Sequence, residues 1–315
     1  MPITTTSTLP APVQLSFNAK LLSVPTPNFI FNLAAMKSKM PAQGGTVKRY
    51  RRYNPLQPAL VPLGNSGVTP PAQLLTAVDI DAKIQFYGTY IQLNEQVTLQ
   101  AQDAPLNEAA RRLGVSLRQT EDTLTRDMLA ATAGMINCTG GVNGDLPTEL
   151  TATDIEAVTT TLLTNNAFTI LDNIEGENRF GTSPVRDSFM AFCHTNLTAN
   201  LNNVQGFIHK NQYPAQMNIG RSEWGSVQNL RFWVSSIGSI TQGASARNSD
   251  VYNIFVTGME SYAYIEQDHM SATFIYRPAI YDGPLALNAS VGYKFGACPR
   301  LLNDLWLFNL RCTLA

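Results

Sequence analysis

The chain has 315 residues, of which 14% are charged and 44% are hydrophobic, and its net charge is −1. This charged fraction is well below the roughly 25% typical of soluble proteins, which predicts a surface partly covered by neighbouring subunits. The length suffices for one large domain or two. No apolar run reaches the roughly 18 residues that a membrane-spanning helix needs, so we expect no membrane partner.

Charge is distributed unevenly along the chain. The first 78 residues hold seven basic residues and no acidic one, whereas the rest carry 15 basic and 23 acidic residues. In an assembly of identical chains, the positive segment of one copy can dock on the negative remainder of the next. Self-assembly is therefore the first functional hypothesis. The seven basic residues are Lys20, Lys37, Lys39, Lys48, Arg49, Arg51 and Arg52.

The cysteines indicate free thiols in a reducing compartment. Met1 is followed by Pro and a Thr-rich stretch rather than by a basic and then apolar leader, so we expect no secretory signal and a cytosolic setting. No cysteine lies within three positions of another, which leaves no CxxC metal or redox pair. In the cytosol such thiols stay reduced. The four are Cys138, Cys193, Cys298 and Cys312.

Residues 1–43 are predicted to form an arm. The segment is rich in Pro, Thr and Ser, and only 29–36 have the pattern of a short helix. Its scattered apolar side chains, among them Phe29 and Phe31, are too many to stay in solvent. We expect the arm to lie on a surface, either of its own chain or of a neighbour.

A long two-stranded projection is predicted next. Residues 46–53 are rich in β-formers, and residues 78–87 alternate, with Val78, Ile80 and Phe86 on the apolar face. The 24 residues between them contain five prolines, and a structureless loop of that length is unusual inside a compact domain. We interpret them as the tip of a β-hairpin that a partner must support, because an isolated ribbon is marginal alone.

Residues 103–137 give the longest helix pattern, with Asp103 as a candidate N-cap. Apolar residues recur on one face, which predicts a structural spine of about 33 residues and about 50 Å. The alternative is two shorter helices broken at Gly114. The residues that define the face are Leu106, Ala110, Leu113, Leu117, Leu124 and Met128.

The rest of the chain is mixed α and β. A second helix is predicted over 151–166, with Thr153 and Glu156 as its capping box. The segment 290–313 is strand-rich and strongly apolar, so we expect it to pair inside the core sheet. Further strands are predicted at Ser188–His194, Leu230–Ser236, Tyr252–Thr257 and Ala272–Tyr276, with a short helix at 196–204.

No catalytic, cofactor or metal motif is present in the sequence. GxxxxGK[ST], GxGxxG after a strand, HExxH and GxSxG are all missing. Cys193 and His194 are adjacent, so on a strand they point to opposite faces and do not form a nucleophile–base pair. We therefore expect no enzyme activity, no cofactor and no metal.

Two charged groups remain as candidates for contacts. Asp79 and Asp81 share one strand face. They suit a cation, a pair of acid–base carboxylates, a solvated edge or pairing with a neighbour's Arg51 or Arg52. The basic run 48–52 is compatible with protein docking, with phosphate contact or with simple solvation. Because it lies in a β context without a reading helix, docking is the preferred interpretation.

The order of parts resembles the major capsid proteins of tailed bacteriophages, the Hong Kong 97-like fold, and more narrowly the capsid family of the N-four-like podophages. The resemblance covers roughly residues 30–140 and 280–310, and Ser66 stands where an acidic residue is expected. Its motifs are Gly45–Arg52, Pro62-Leu63, Gly67-Val68-Thr69-Pro70, Gln85–Tyr90, Leu106–Gly114, Asp282–Leu285, Val291–Phe295 and Leu302-Asn303-Asp304.

This resemblance implies an α+β fold with five parts. They are an N-terminal arm (1–43), an extended β-hairpin loop (44–94), a peripheral domain with the spine helix (95–145), an axial domain (146–288) and closing strands of the peripheral domain (289–315). The implied inter-subunit contacts of the loop are Lys48, Arg49, Arg51, Arg52, Pro62, Leu63, Gly67, Thr69, Asp79 and Asp81. Those of the arm are Lys20, Phe29, Phe31, Lys37 and Lys39.

The implied function is a non-enzymatic shell subunit. It would assemble with itself as hexamers and pentamers around double-stranded DNA, which it touches non-specifically, and it would be made in the host cytoplasm and end in the virion. Scaffold, portal and decoration proteins are further candidate partners. The alternatives are an encapsulin-type compartment of the same fold and a carbohydrate-binding or hydrolytic tail protein, which would need convergent carboxylates and exposed aromatic residues.

Overall fold

The computed structural model describes residues 26–60, 71–94, 96, 105–131, 134–170, 188–213, 222–270, 272–278 and 287–314. In these ranges no helix is long and apolar enough to cross a membrane. The helices are α1 (Pro105–Ala130), α2 (Ala152–Thr164) and α3 (Thr198–Asn203). The strands are β1 (Met36–Met40), β2 (Val47–Tyr53), β3 (Ala77–Lys83), β4 (Gln85–Asn94), β5 (Met135–Asn137), β6 (Phe189–His194), β7 (Ile208–His209), β8 (Glu223–Val227), β9 (Leu230–Ser235), β10 (Ile240–Thr241), β11 (Val251–Thr257), β12 (Tyr262–Gln267), β13 (Thr273–Arg277), β14 (Asn288–Leu301) and β15 (Leu307–Cys312).

The larger sheet, which we call the central sheet, runs in the order β5-β15-β11-β6-β9-β8-β7, with β10 beside β11. Strands β9 and β11 are buried along their whole length, as expected for a sheet covered on both faces. On one face lies α2, through Ile155 and Leu162. Against the other face pack Phe31 and Leu129, which come from outside the sheet. The predicted strands in 188–276 are confirmed, with shifts of one residue at most ends.

The second sheet, the helix-backed sheet, is built on the long strand β14. Strand β4 pairs with β14 over ten positions, and β12 and β13 pair along the opposite edge of β14, with β1 beyond β12. Alternate residues of β14, including Tyr293 and Phe295, are buried against Leu113 and Leu117 of α1. The sheet therefore takes its apolar layer from one face of that helix.

Helix α1 confirms the predicted spine. Its 26 residues run through Gly114 without a break and span about 39 Å at 1.5 Å per residue. It is shorter than predicted, because Met135–Asn137 form strand β5 instead. Gly134 lies against the central sheet, where a Cβ would come within 2.8 Å of the carbonyl oxygen of Leu307 in β15. Asp103 lies outside the described residues.

The described part of the arm is built into its own subunit, which corrects one predicted contact. Ile30 and Phe31 are fully buried, and the Phe31 ring packs edge-on against Phe192 with centroids 5.8 Å apart. Phe31 is therefore a core residue and not an inter-subunit contact. We call residues 26–35 the strap. It forms turns rather than the predicted helix at 29–36. Strand β1 follows the strap and pairs in parallel with β12.

The other arm residues differ in their exposure. Phe29 is half-buried at the start of the strap, whereas Lys37 and Lys39 are exposed on β1 and remain available to a neighbour. Lys20 lies outside the described residues. The inter-subunit role of these residues stays a prediction.

The sheets do not follow the predicted part boundaries. Strands β12 and β13 come from the range 146–288, yet they pair with β14 of the range 289–315. Strand β15 also comes from 289–315, yet it lies between β5 and β11 in the central sheet. The last segment is thus paired in the core as predicted, but its two strands belong to different sheets, because the chain crosses between them after Leu301.

The N-cap of helix α2 lies two residues before the predicted N-cap. The carboxylate of Asp154, at the third helical position, accepts the backbone N–H of Thr151 at 3.2 Å, so Thr151 and not Thr153 is the N-cap. Asp154 also accepts the N–H groups of Thr139 at 2.9 Å and Gly140 at 3.2 Å. Thr151 and Asp154 thus form a capping box, which is a local pattern, and Asp154 also ties the start of the helix to residues 139–140.

Asp122 of α1 holds the strap in place. Its two carboxylate oxygens accept the backbone N–H groups of Phe31 at 2.8 Å and Ile30 at 3.1 Å. The hydroxyl of Tyr262 donates to the carbonyl oxygen of Phe31 from the other side.

We expect Asp122→Ala to lower the free energy of unfolding by about 2–4 kcal/mol, since it leaves two buried donors without an acceptor.

Urea unfolding of the isolated subunit measures this change. The matched control is Asp127→Ala on the same helix, because that carboxylate is exposed and pairs only with Arg126 among the described residues. An equal loss in both variants would contradict the role assigned to Asp122.

The difference in stability between the wild type and Asp122→Ala should depend on pH. Burial raises the pKa of Asp122 to about 6, although the hydrogen bonds from the strap and the charge of Arg126 oppose this rise. A carboxyl with a raised folded pKa stabilises the fold at low pH and loses that contribution as pH rises through the folded pKa. The advantage of the wild type over Asp122→Ala should therefore grow as pH falls from 7 through 6, and a constant difference would contradict it.

Candidate subunit interface

A hairpin of β2 and β3 leaves the helix-backed sheet. The two strands pair antiparallel from Val47 opposite Lys83 to Tyr53 opposite Ala77. At its root Ala82 and Ile84 are buried among side chains of β1 and β12. The predicted strand 78–87 is therefore two strands, since β3 joins the hairpin and β4 joins the helix-backed sheet on either side of Ile84.

One face of the hairpin carries two ion pairs. Arg49 donates to both oxygens of Asp81 at 2.7 and 2.9 Å, and Arg51 donates to both oxygens of Asp79 at 2.7 and 3.0 Å. These hydrogen bonds lower the pKa of each aspartate, so both stay ionised at neutral pH. Such exposed pairs add little stability, but they specify register, because a slip by two positions would set Arg49 opposite Lys83.

The pairing changes the interpretation of the predicted contacts. Asp79 and Asp81 were candidates for a cation or for a neighbour's arginine, but their partners are Arg51 and Arg49 of the same hairpin. No group of three or more His, Cys, Asp or Glu residues in the described ranges is arranged to hold a metal.

The opposite face of the hairpin is basic and apolar. Lys48 donates to the hydroxyl of Ser38 and to the carbonyl oxygen of Lys39, and it lies 5.6 Å from the centre of the Tyr50 ring. These contacts tie Lys48 to β1. Arg52 stands on the same face, opposite Val78, and forms no ion pair with another described residue. Arg52 is half-buried and lines a cavity with Arg300 and Asp304 of its own subunit, so its inter-subunit role stays a prediction.

Beyond the paired strands the ribbon continues and becomes apolar. The backbone N–H of Asn54 donates to the Thr76 carbonyl oxygen at 2.9 Å, and the Gln73 side chain bonds the backbone of Gln57 in both directions. Pro62, Leu63, Gly67 and Thr69 lie outside the described residues. The side chains exposed here include Tyr53, Leu56, Leu60, Leu74 and Leu75, with Leu60 and Leu74 each 83% exposed.

Sequence analysis missed these leucines as contacts. They follow no alternation, and a Pro-rich stretch gives no reason to assign them to a buried or an exposed face. Only the extended ribbon shows that its own subunit leaves them uncovered. A row of exposed leucines on a projecting ribbon indicates a surface that another molecule covers.

A second exposed apolar surface lies on the helix-backed sheet, on the side away from α1. Phe86 and Tyr90 of β4 are about two-thirds exposed and stand opposite Gly296 and Gly292 of β14. The predicted burial of Phe86 with Val78 and Ile80 is therefore wrong. The chain changes sheets at Ile84, so Phe86 belongs to a different face from Val78.

The chain is similar to phage capsid structures over nearly its whole length. The capsid of Ralstonia phage GP4 matches with a TM-score of 0.70 and 11% identity, covering 96% of this chain and 95% of that one. The capsid asymmetric unit of cyanophage Pam1 matches with a TM-score of 0.68 and 11% identity, covering 99% and 98%. The capsid of cyanophage P-SCSP1u gives 0.68 and 10%, covering 96% and 93%.

No protein-family model and no curated protein sequence matches the chain. The likeness therefore lies in the fold and not in the sequence. The predicted fold class is confirmed, and the chain has the Hong Kong 97-like α+β fold of phage capsid proteins.

The ion pairs of the hairpin make a testable prediction. Arg51→Glu places a carboxylate opposite Asp79, so the amides of 47–53 and 77–83 should exchange hydrogen up to about fivefold faster. Hydrogen–deuterium exchange with mass spectrometry measures this rate. The charge swap Arg51→Asp with Asp79→Arg should restore it, and Arg52→Glu, on the other face, should leave it unchanged. Unchanged exchange in Arg51→Glu would contradict the pairing.

Proposed function

We propose that this protein is the major capsid protein of a tailed bacteriophage, a non-enzymatic subunit that assembles into an icosahedral shell around double-stranded DNA. The observation that carries the proposal is the match of at least 96% of the chain to capsid subunits of three phages. A fold shared over that length includes the projecting hairpin and the spine helix, which are the parts that a shell needs. The narrower resemblance to the N-four-like family rests on the sequence motifs alone.

The hairpin supplies the proposed contact between subunits. Its root is held in the core of its own subunit, whereas its far half exposes leucines that have no cover within the described residues. Residues 47–83 carry five basic and two acidic side chains, and the chain after residue 78 is net acidic. Leucine burial would provide affinity, and the excess positive charge would select an acidic neighbouring surface.

The partners follow from this arrangement. Copies of the chain would meet as hexamers and pentamers, with the loop contacts at Lys48, Arg52 and the exposed leucines and with arm contacts at Phe29, Lys37 and Lys39. Packaged DNA would touch the inner face without sequence preference. Assembly would occur in the host cytoplasm, and scaffold, portal and decoration proteins would complete the virion.

Electron microscopy of the protein expressed alone, after size fractionation, tests the proposal. Closed shells of uniform diameter are the expected result, and spirals, sheets or irregular shells would also support the fold's assembly role. A discrete monomer that stays dispersed on concentration would contradict it and favour the tail-protein alternative. Shells that retain a bound enzyme through a peptide tag would favour the encapsulin-type compartment instead.

Single variants of the hairpin test the contact itself. Arg52→Glu and the pair Leu74→Ser with Leu75→Ser should reduce the yield of shells at least tenfold, because each removes a proposed contact between subunits. Circular dichroism should show an unchanged subunit. Arg111→Glu, an equal charge change on an exposed part of α1, is the control. Normal shells from both hairpin variants would contradict the assigned role.

A further inference from the structure

Two cysteines lie side by side where the central sheet meets the segment that follows the spine helix. Strands β5 and β15 run parallel, with Asn137 beside Arg311, and the backbone N–H of Cys138 donates to the Arg311 carbonyl oxygen at 2.9 Å. The next neighbours along the two strands are Cys138 and Cys312. Both are fully buried in the same hydrophobic core, and both are free thiols in this structure.

The two cysteines are neighbours in the register of the parallel strands. A hydrogen bond between them, together with burial, raises the pKa of Cys138 well above its ordinary range. Adjacent strands lie about 4.8 Å apart, which is inside the Cα separation of about 4.4–6.8 Å that a disulfide accepts. The backbone therefore already holds the pair at bonding distance, and only side-chain rotation separates two thiols from a bridge.

We propose that Cys138 and Cys312 form an oxidisable pair, which becomes an intramolecular disulfide when the protein leaves a reducing environment. The oxidant is a low-molecular-weight disulfide of the glutathione class. One cysteine thiolate attacks it and releases one reduced thiol, and the second cysteine then attacks the mixed disulfide and releases the other. Two cysteine thiols are oxidised, one small disulfide is reduced to two thiols, and the protons pass to those leaving thiolates.

The position of the pair sets its rate of oxidation. Buried thiols with a raised pKa react slowly, so the folded core protects the pair until it opens locally. Strand β5 has three residues and pairs with β15 alone in the described sheet, so few backbone hydrogen bonds oppose its local opening. Beyond it Cys138 is held by one further bond, from the Thr148 N–H to its carbonyl oxygen at 2.8 Å.

The bridge would fasten the end of the central sheet to the chain that leaves α1. It would close a loop from 138 to 312, more than half of the chain, and long loops gain most from a crosslink in the unfolded state. We expect oxidation to raise Tm by about 5–15 °C, and reduction with dithiothreitol to reverse the shift. This inference does not depend on the proposed function, because it concerns the folded subunit alone.

The experiment oxidises the purified full-length protein with oxidised glutathione and counts thiols in denaturant. The expected result is a fall from four free thiols to two, with a peptide map that joins Cys138 to Cys312. Cys138→Ala and Cys312→Ala should each abolish the crosslink and the rise in Tm. Cys298→Ala, which changes a half-buried thiol in the other sheet, should retain both.

A third buried thiol provides a sharper control. Cys193 lies in the same core, where burial and, to a lesser extent, the charge of Cys312 raise its pKa, so a bridge from Cys193 is the nearest competitor. Cys193→Ala should keep the crosslink between Cys138 and Cys312. Four remaining thiols after prolonged oxidation, a bridge that includes Cys193, or crosslinks only between molecules through Cys298 would each overturn the proposal. A peptide map of the oxidised wild type tests the proposed disulfide even if an alanine variant does not fold.

Discussion

The buried face of α1 is the constraint on which the rest of the structure depends, because both sheets share it. Leu113 and Leu117 pack on the helix-backed sheet, and Leu129, near the other end of the helix, packs on the central sheet. Between these contacts Asp122 binds the strap, which then fills the same side of the central sheet with Phe31. One rigid helix thus sets how the two sheets lie, and the strap completes a layer that neither sheet can complete alone.

The hairpin follows from the same arrangement. The chain passes from β3 to β4 at Ile84, whose burial fixes the root, while everything beyond Tyr53 is held by a two-stranded ladder. A ribbon of two strands is marginal in water, and this one also exposes leucines. The subunit thus holds the root of the ribbon in its own core and leaves the apolar surface beyond it exposed. The bidentate ion pairs of Arg49 and Arg51 hold the register of the two strands.

Local patterns predicted the elements well where one residue period continued without interruption. The apolar spacing around Leu113 and Leu117 predicted a continuous helix through Gly114, and it is continuous. The alternation from Val78 to Phe86 predicted strand structure correctly but burial incorrectly, because a period of two cannot reveal that the chain changes sheets at Ile84. The resemblance implied an inter-subunit contact for Phe31, whereas the residues alone left the arm on its own or a neighbour's surface. The burial of Phe31 in its own subunit accompanies the hydrogen bond to Asp122, 91 residues away.

The sequence by itself determined the spine helix and the strands with an uninterrupted period, the net positive charge of the first 78 residues and the resemblance to capsid proteins. These depend on residue order and composition over short distances. Only the tertiary structure decided which sheet each strand joins, which arginines are already paired, which leucines stay exposed and which cysteines are neighbours. Each of these depends on contacts between residues far apart in the chain, such as Arg49 with Asp81 or Cys138 with Cys312. Their free energy comes from register and packing, which exist only after the chain has folded.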